Sequence, residues 1–382
     1  MSVSWDIFCS VVDNYGDIGV TWRLARQLVA EHNQEVRLFV DDWVSFTRIH
    51  PEAAPEASTQ RLLGVEVHHW TSEWPDILRP ADVVIEAFGC PLPAVYVEAM
   101  ACRTVQPLWI NLEYLSAEAW VEDCHGLASP QPNGLKKFFF FPGFTAGTGG
   151  LLREHGLLER RQTFRMSTVE RDAFLVQLGV SVRPGERLFS LFSYEMPSLH
   201  DWLDELTKSA EPVLLLIPEG RVLGNVARWA GYDRLMPGDV YHRRQLRIHI
   251  IPFRQQDDYD RLLWCCDFNA ARGEESFIRA QWAGQPFIWH IYPQDKRAHM
   301  LKLDAFLDRY LVGLSPAAGQ ATRVLWHAWN GEGSLGQAWR EWMPYVGELT
   351  AHAESWCARQ AEHNDLASAL VHFHVERLSY SA

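Results

Sequence analysis

Apolar positions along this chain switch between a period of two and a helical period, and the switches come in pairs. Residues 5–12 are a short β-rich run. A turn-rich stretch follows, Asp13-Asn14-Tyr15-Gly16-Asp17-Ile18-Gly19, and residues 20–29 then place apolar side chains at helical spacing. The pattern predicts strand, glycine loop, helix. Runs at 36–40, 65–68 and 83–86 predict three further strands, 94–101 a helix, and 105–111 a return to strand. Phe138 to Phe141 reads as one more buried strand. Strands alternating with helices argue for a parallel sheet with helices on both faces.

The pattern restarts beyond about residue 180. Residues 188–194 predict a strand and 197–206 a helix. The unbroken apolar run Val213-Leu214-Leu215-Leu216-Ile217 suits a parallel strand buried on both faces. Then come a strand at 246–253, a helix at 257–265, a short strand at 267–270, a helix at 276–283 ended by Gly284, and a strand at 286–289. The mostly polar residues 159–168 predict a linker or connecting helix, and 351–378 has helical spacing. The expected organisation is an α/β protein of two Rossmann-like domains, 1–175 and 176–350, with a helical tail, 351–382, that packs back on the first. Two such halves in tandem are expected to face a central cleft, and open α/β sheets bind ligands at their carboxyl edges.

Composition adds exclusions. An apolar share of 47% with 22% charged residues is that of a globular chain, not a disordered, collagenous or coiled-coil one. The net charge of −13 argues against holding a nucleic-acid backbone or an anionic membrane, and suits a basic protein partner. No apolar run approaches the ~20 residues of a membrane span. The start, Met1-Ser2-Val3-Ser4-Trp5-Asp6, lacks a basic leader. Seven cysteines without C-x-x-C pairs suggest neither a disulfide framework nor a zinc site, so a reducing, cytoplasmic setting is expected. The histidines show no H-E-x-x-H spacing, so no metal is expected, and no G-x-S-x-G elbow marks a serine hydrolase.

Two strand–helix junctions could carry chemistry. In the first, Gly16 and Gly19 permit close backbone approach, but the loop is neither G-x-G-x-x-G nor a P-loop. Asp13 and Asp17 either cap the following helix or present two carboxylates at the sheet edge. The second is Ala271-Arg272-Gly273-Glu274-Glu275-Ser276. A helix N-terminus there offers free N–H groups to an anion, Arg272 adds a fixed charge and Ser276 a hydroxyl. Glu274 and Glu275 either complement the helix dipole or accept from the ribose of a sugar nucleotide. Three signals are weaker. Phe253-Arg254-Gln255-Gln256 ends a strand where an aromatic face and amides could hold a planar base. Phe192-Ser193-Tyr194 ends another. Thr145-Ala146-Gly147-Thr148-Gly149-Gly150 is a glycine loop that could close on phosphate or be a plain turn.

These motifs carry a resemblance. Residues 6–26, from Asp6-Ile7-Phe8-Cys9 through Asp13-Asn14-Tyr15-Gly16-Asp17 to Trp22-Arg23-Leu24-Ala25-Arg26, resemble the opening of the EarP family, bacterial protein-arginine rhamnosyltransferases acting on translation elongation factor P. Arg272-Gly273-Glu274-Glu275-Ser276 and Pro286-Phe287-Ile288-Trp289-His290-Ile291-Tyr292-Pro293-Gln294 resemble its second signature. The resemblance implies a GT-B glycosyltransferase that moves L-rhamnose from dTDP-β-L-rhamnose to arginine with inversion, without metal or other cofactor. It places Asp13 and Asp17 at the acceptor, as catalytic residues. Arg272, Gly273, Glu274, Glu275 and Ser276 fall at the donor, and Tyr194, Phe253 and Gln256 are carried over with them. The partners it implies are elongation factor P and dTDP-rhamnose.

Other classes stay open on the residues alone. A nicotinamide or flavin oxidoreductase would need a G-x-G-x-x-G loop and a ribose-binding acid, neither of which is apparent. A non-catalytic protein that recognises a translation factor, or a GT-B enzyme with a lipid or glycan acceptor, would share the fold.

Overall fold

The computed structural model describes residues 2–12, 15–71, 79–294 and 297–379. Asp13 lies outside the described residues. The first half of the chain supplies β1 (Ser4–Cys9), β2 (Glu35–Val40), β3 (Thr59–Leu62), β4 (Val65–His69), β5 (Val83–Ala87), β6 (Leu108–Leu112), β7 (Ala128–Pro130) and β8 (Lys136–Phe140). Among the described residues they form one sheet in the order β3-β4-β2-β1-β5-β6-β8-β7. The six inner strands run parallel, and the short β3 and β7 close the two edges antiparallel. In register, Cys9 of β1 lies beside Val40 of β2 and Ala87 of β5, and Ala87 beside Leu112 of β6. These strands therefore end level, and Asp41, Ser10, Phe88 and Glu113 follow at one carboxyl edge.

The second half supplies β9 (Arg187–Leu191), β10 (Val213–Pro218), β11 (Val240–Arg243), β12 (Leu246–Ile251), β13 (Phe268–Arg272) and β14 (Phe287–His290), ordered β11-β12-β10-β9-β13-β14. Only the edge strand β11 is antiparallel among the described pairs. Every residue of β10 is buried, as its unbroken apolar run requires. The fold class is thus α/β with two parallel-rich sheets, as the alternation of periods predicts.

The chain divides into two units, Met1–His155 with Gln360–Ala382, and Gly156–Arg359. The divisions fall at 155 and 359, where the sequence reading puts them at 175 and 350. Helix Leu157–Met166 explains the first difference. Its Arg161 Nη1 donates to Trp282 O at 2.8 Å, and Phe164 packs edge-on against Trp264, both in the second unit. At the other end, helix Leu366–Ser379 returns to the first sheet. Gln27 Nε2 donates to Asp365 Oδ1 at 3.0 Å, and Phe373 meets Phe138 and Phe140 edge-on. Leu366 N also donates to Leu151 O at 3.1 Å. Among the described residues, no helix is long and apolar enough to cross a membrane.

Candidate functional site

The carboxyl edge of the first sheet is held open by carboxylates. Beyond β1 the chain stops pairing in the sheet because two side chains take its amides. Asp41 accepts from Val11 N at 2.9 Å and from Ser10 Oγ at 2.5 Å, and Asp17 Oδ2 accepts from Val12 N at 2.8 Å. Helix Gly16–His32 starts at Tyr15, with no side-chain cap. Asp17 therefore sits inside the first turn, 2% exposed, and braces the loop from within. Thr21 Oγ1 donates to the Asp17 carbonyl at 3.0 Å. Burial first, then the neighbouring Asp17, Cys90 and Asp41, push the Cys9 thiol well up, so it offers no thiolate nucleophile here.

The edge of the second sheet is cationic and aromatic. Arg272, the last residue of β13, is 5% exposed. Its guanidinium lies 4.5 Å from the Phe192 ring centre and 4.7 Å from that of Tyr194, the residues that follow β9. Such contacts hold the cation against the ring faces by cation–π attraction. Gly273, at φ +62, turns the chain into helix Glu275–Trp282. That turn is locked on both sides: Gly273 N donates to His290 O at 3.2 Å, and Trp289 Nε1 donates to Gly273 O at 2.6 Å. The Ser276 hydroxyl accepts from Arg272 N at 3.2 Å and donates to Arg272 O, closing the first turn. Glu274 and Glu275 remain half-buried at the helix start. Gln256 Nε2, from helix Gln256–Cys265, donates to Glu275 Oε1 at 3.3 Å. Arg272, Gly273, Glu275, Ser276, Tyr194 and Gln256 are thus joined in one cluster, with Glu274 at its helix start. Phe253 is half-buried in the segment after β12 that leads to Gln256.

Two further residues belong to this cluster. His290, ending β14, accepts at or donates from Nδ1 to Ser193 Oγ at 2.6 Å, and its ring meets Tyr194 edge-on at 5.2 Å. Burial first, then Arg272 and His299, push its pKa down to about 3, so the ring is neutral beside the arginine. Tyr292, 39% exposed, packs edge-on against Tyr194 at 5.7 Å. Ser193 and His290 stand inside motifs visible in the sequence, but their pairing spans 97 positions and no local pattern marks it.

The glycine loop at 145–150 is a packed turn. Gly149 N donates to Phe141 O at 2.8 Å, and Gly143 N to Gly150 O at 3.2 Å. A Cβ on Gly149 would run into the Phe140 ring, and one on Gly150 into the Asn364 carbonyl. The small residues here serve close packing. Among the described residues, no group of three or more His, Cys, Asp or Glu side chains is placed to hold a metal ion.

Residues 5–375 match the family described as Elongation-Factor P (EF-P) rhamnosyltransferase EarP. The chain belongs to the EarP family. A protein-arginine rhamnosyltransferase of Pseudomonas putida KT2440 is 59% identical over 98% of this chain and 99% of its own. A solved structure, described as the structural basis for EarP-mediated arginine glycosylation of translation elongation factor EF-P, is 45% identical. It superposes with a TM-score of 0.72 over 98% of this chain and 99% of that one. A glycosyltransferase from Rickettsia africae shares the fold alone, at 9% identity and a TM-score of 0.55 over 99% of each chain. This EarP-family chain is therefore an enzyme with the GT-B glycosyltransferase fold.

Proposed function

We propose that this chain moves L-rhamnose from dTDP-β-L-rhamnose to an arginine side chain of translation elongation factor P, inverting the anomeric centre. Membership of the EarP family supports the acceptor and the sugar. The observation that carries the donor half is Arg272, a buried cation over the rings of Phe192 and Tyr194, at the end of β13 just before a helix. Its charge and the first N–H groups of that helix suit a diphosphate, and the aromatic edges suit a nucleoside. Gln256, Glu275 and Glu274 are polar groups suited to fix ribose, base or sugar, with Phe253 in the segment that leads to Gln256.

Arginine is a poor nucleophile, because its guanidinium is protonated and delocalised with a pKa above ~12. In this reading Asp13 and Asp17 hold the guanidinium by charge-assisted bonds and draw its positive charge to one side. The opposite nitrogen gains lone-pair character and attacks the anomeric carbon. Asp17 takes the proton as the C–N bond forms and the C–O bond to the diphosphate breaks. The electron pair leaves with dTDP, whose charge Arg272 and the helix N-terminus stabilise, so the step needs no metal. Attack opposite the leaving group inverts the centre.

The deciding experiment is mass spectrometry of elongation factor P incubated with this protein and dTDP-β-L-rhamnose in EDTA. One deoxyhexose on one arginine is the expected result. Unmodified factor, or sugar transferred only when Mg²⁺ or Mn²⁺ is added, would overturn the reading.

A further inference from the structure

Phe88 follows β5 directly and holds φ at +59, a left-handed backbone that bulky side chains rarely adopt. The turn is enforced from several sides. Phe88 N donates to Leu112 O at 2.6 Å, Gly89 N to Asn111 Oδ1 at 3.2 Å, and Cys90 Sγ to Phe8 O at 3.3 Å. Asn111, only 4% exposed, in turn donates to Glu113 Oε1 at 2.6 Å. A glycine would make this turn without strain, yet the position carries a phenylalanine. Nor does that side chain join the core cluster of Phe8, Phe39, Tyr96, Met100 and Trp109. It stays half-buried at the carboxyl edge, stacked on the half-buried ring of Tyr114 with centres 4.5 Å apart and planes 18° from parallel.

The register fixes what lies beside this pair. Ala87 is level with Cys9 on one side and Leu112 on the other. Phe88 is therefore one strand, about 4.8 Å, from the segment that leads into the Asp17 loop. Glu113 follows the strand on its far side. An aromatic ring at backbone cost, set between carboxylates, is what a flat cation needs: in-plane N–H groups go to the acids and the face goes to the ring.

We propose that the stacked Phe88–Tyr114 pair is the wall of the acceptor site, receiving one face of the target guanidinium. This rests on the arginine-acceptor reading above. The attacking lone pair of a guanidinium nitrogen lies along the normal to its plane. A ring against one face thus leaves the opposite face for the sugar. Asp17 keeps its proton-accepting role, and the aromatic pair selects a planar cation over lysine's ammonium.

Phe88→Gly separates this role from a structural one, because glycine adopts the turn freely. The expected result is a melting temperature at or above that of the native protein and unchanged dTDP affinity by calorimetry. KM for elongation factor P should rise roughly tenfold. Phe88→Tyr, which restores a ring, should recover most of that loss. An unchanged KM in a folded, active Phe88→Gly protein overturns the inference and leaves the acceptor reading intact. So does a parallel loss of melting temperature and dTDP affinity. A native protein that modifies no arginine overturns the acceptor reading and this inference with it.

Discussion

Asp17→Asn tests the proposed mechanism most directly, because the brace that Asp17 forms in the structure and the base role proposed for it are separable. Its Oδ2 accepts from Val12 N at 2.8 Å, and the side chain is 2% exposed. Asparagine is nearly isosteric and its amide oxygen can accept the same N–H. The change converts a charged acceptor to a neutral one. Bonds to charged groups contribute roughly 1.5–3 kcal/mol and neutral ones roughly 0.5–1.5, so about 1 kcal/mol of stability is at stake. In a unit the size of Met1–His155 with Gln360–Ala382, which carries Asp17, that is a fall of about 2–4 °C in Tm. Loss of a general base costs roughly 10²–10⁴ in rate, or about 2.7–5.5 kcal/mol of barrier. The two effects differ enough to be read apart. Initial rates of rhamnose transfer, calorimetry with dTDP and a thermal melt on the same preparation give all three numbers. The expected variant is folded, binds dTDP normally and transfers at least a hundredfold more slowly. A folded Asp17→Asn protein with near-native turnover would refute the base assignment and leave Asp17 as a brace of the loop.

Other outcomes follow from the second sheet and from the return of the chain. Arg272→Ala should weaken dTDP-rhamnose binding by about 1.5–3 kcal/mol. Arg272→Lys should recover only part, since an ammonium lacks the planar guanidinium that meets both Phe192 and Tyr194 and can bind a diphosphate bidentately; full donor affinity in the lysine variant would count against a guanidinium-specific role. With His290 at about 3 when folded and about 6.5 when unfolded, the unfolded chain binds the extra proton between these values. Stability should therefore fall as pH drops below 6.5, and His290→Gln should flatten that slope in denaturant titrations at pH 7 and 4.5; equal slopes would reject it. Gly150→Ala should cost roughly 2–5 kcal/mol, combining a left-handed backbone with a Cβ against the Asn364 carbonyl. A urea midpoint close to native would show that the carbonyl moves aside.

The parallel core was legible because buried strands write themselves as apolar runs, and β10 is the plainest case. Strand ends were not. The sequence pattern carries the first strand to Val12, the strand at 188 to Tyr194 and the strand at 246 to Phe253, whereas β1, β9 and β12 stop at Cys9, Leu191 and Ile251. The overshoot has one cause in all three places. The residues beyond the strands are apolar or aromatic because they line the edge, and periodicity cannot tell such a residue from a core one. The edge strands β3, β7 and β11 are too short and polar to show a period. Helices Ala298–Tyr310, Pro316–Trp329 and Leu335–Trp342 escaped the sequence reading, although their buried residues, such as Leu303, Phe306, Leu307 and Tyr310 of the first, do recur at helical spacing. Helical spacing across 351–378 gave one helix where two occur, Val346–Ala361 and Leu366–Ser379. The break is set by Asp365, which accepts from Ser368 N at 3.0 Å and starts the second. At the sites, Arg272 and Asp17 were readable as charges at strand–helix junctions. The brace from Asp41 and the Ser193–His290 pair depend on strand order, which one-dimensional spacing does not contain.

The return of Gln360–Ala382 to the first unit has a consequence during synthesis. A ribosome delivers β1 to β8 long before helix Leu366–Ser379 exists, so the nascent sheet must wait with the ground under Trp5, Phe138 and Phe140 uncovered. The second unit is continuous in sequence and can complete itself in the interval. The order of maturation thus runs against the order of translation: the Arg272 cluster is finished first, and the Asp17 edge gains its full backing only when the last helix docks. The length of the intervening segment adds little to the cost of this closure, about 0.6 kcal/mol per doubling, since the entropic cost grows only logarithmically. The delay instead prolongs the exposure of aromatic surface, which is where chaperone dependence and truncation sensitivity would concentrate.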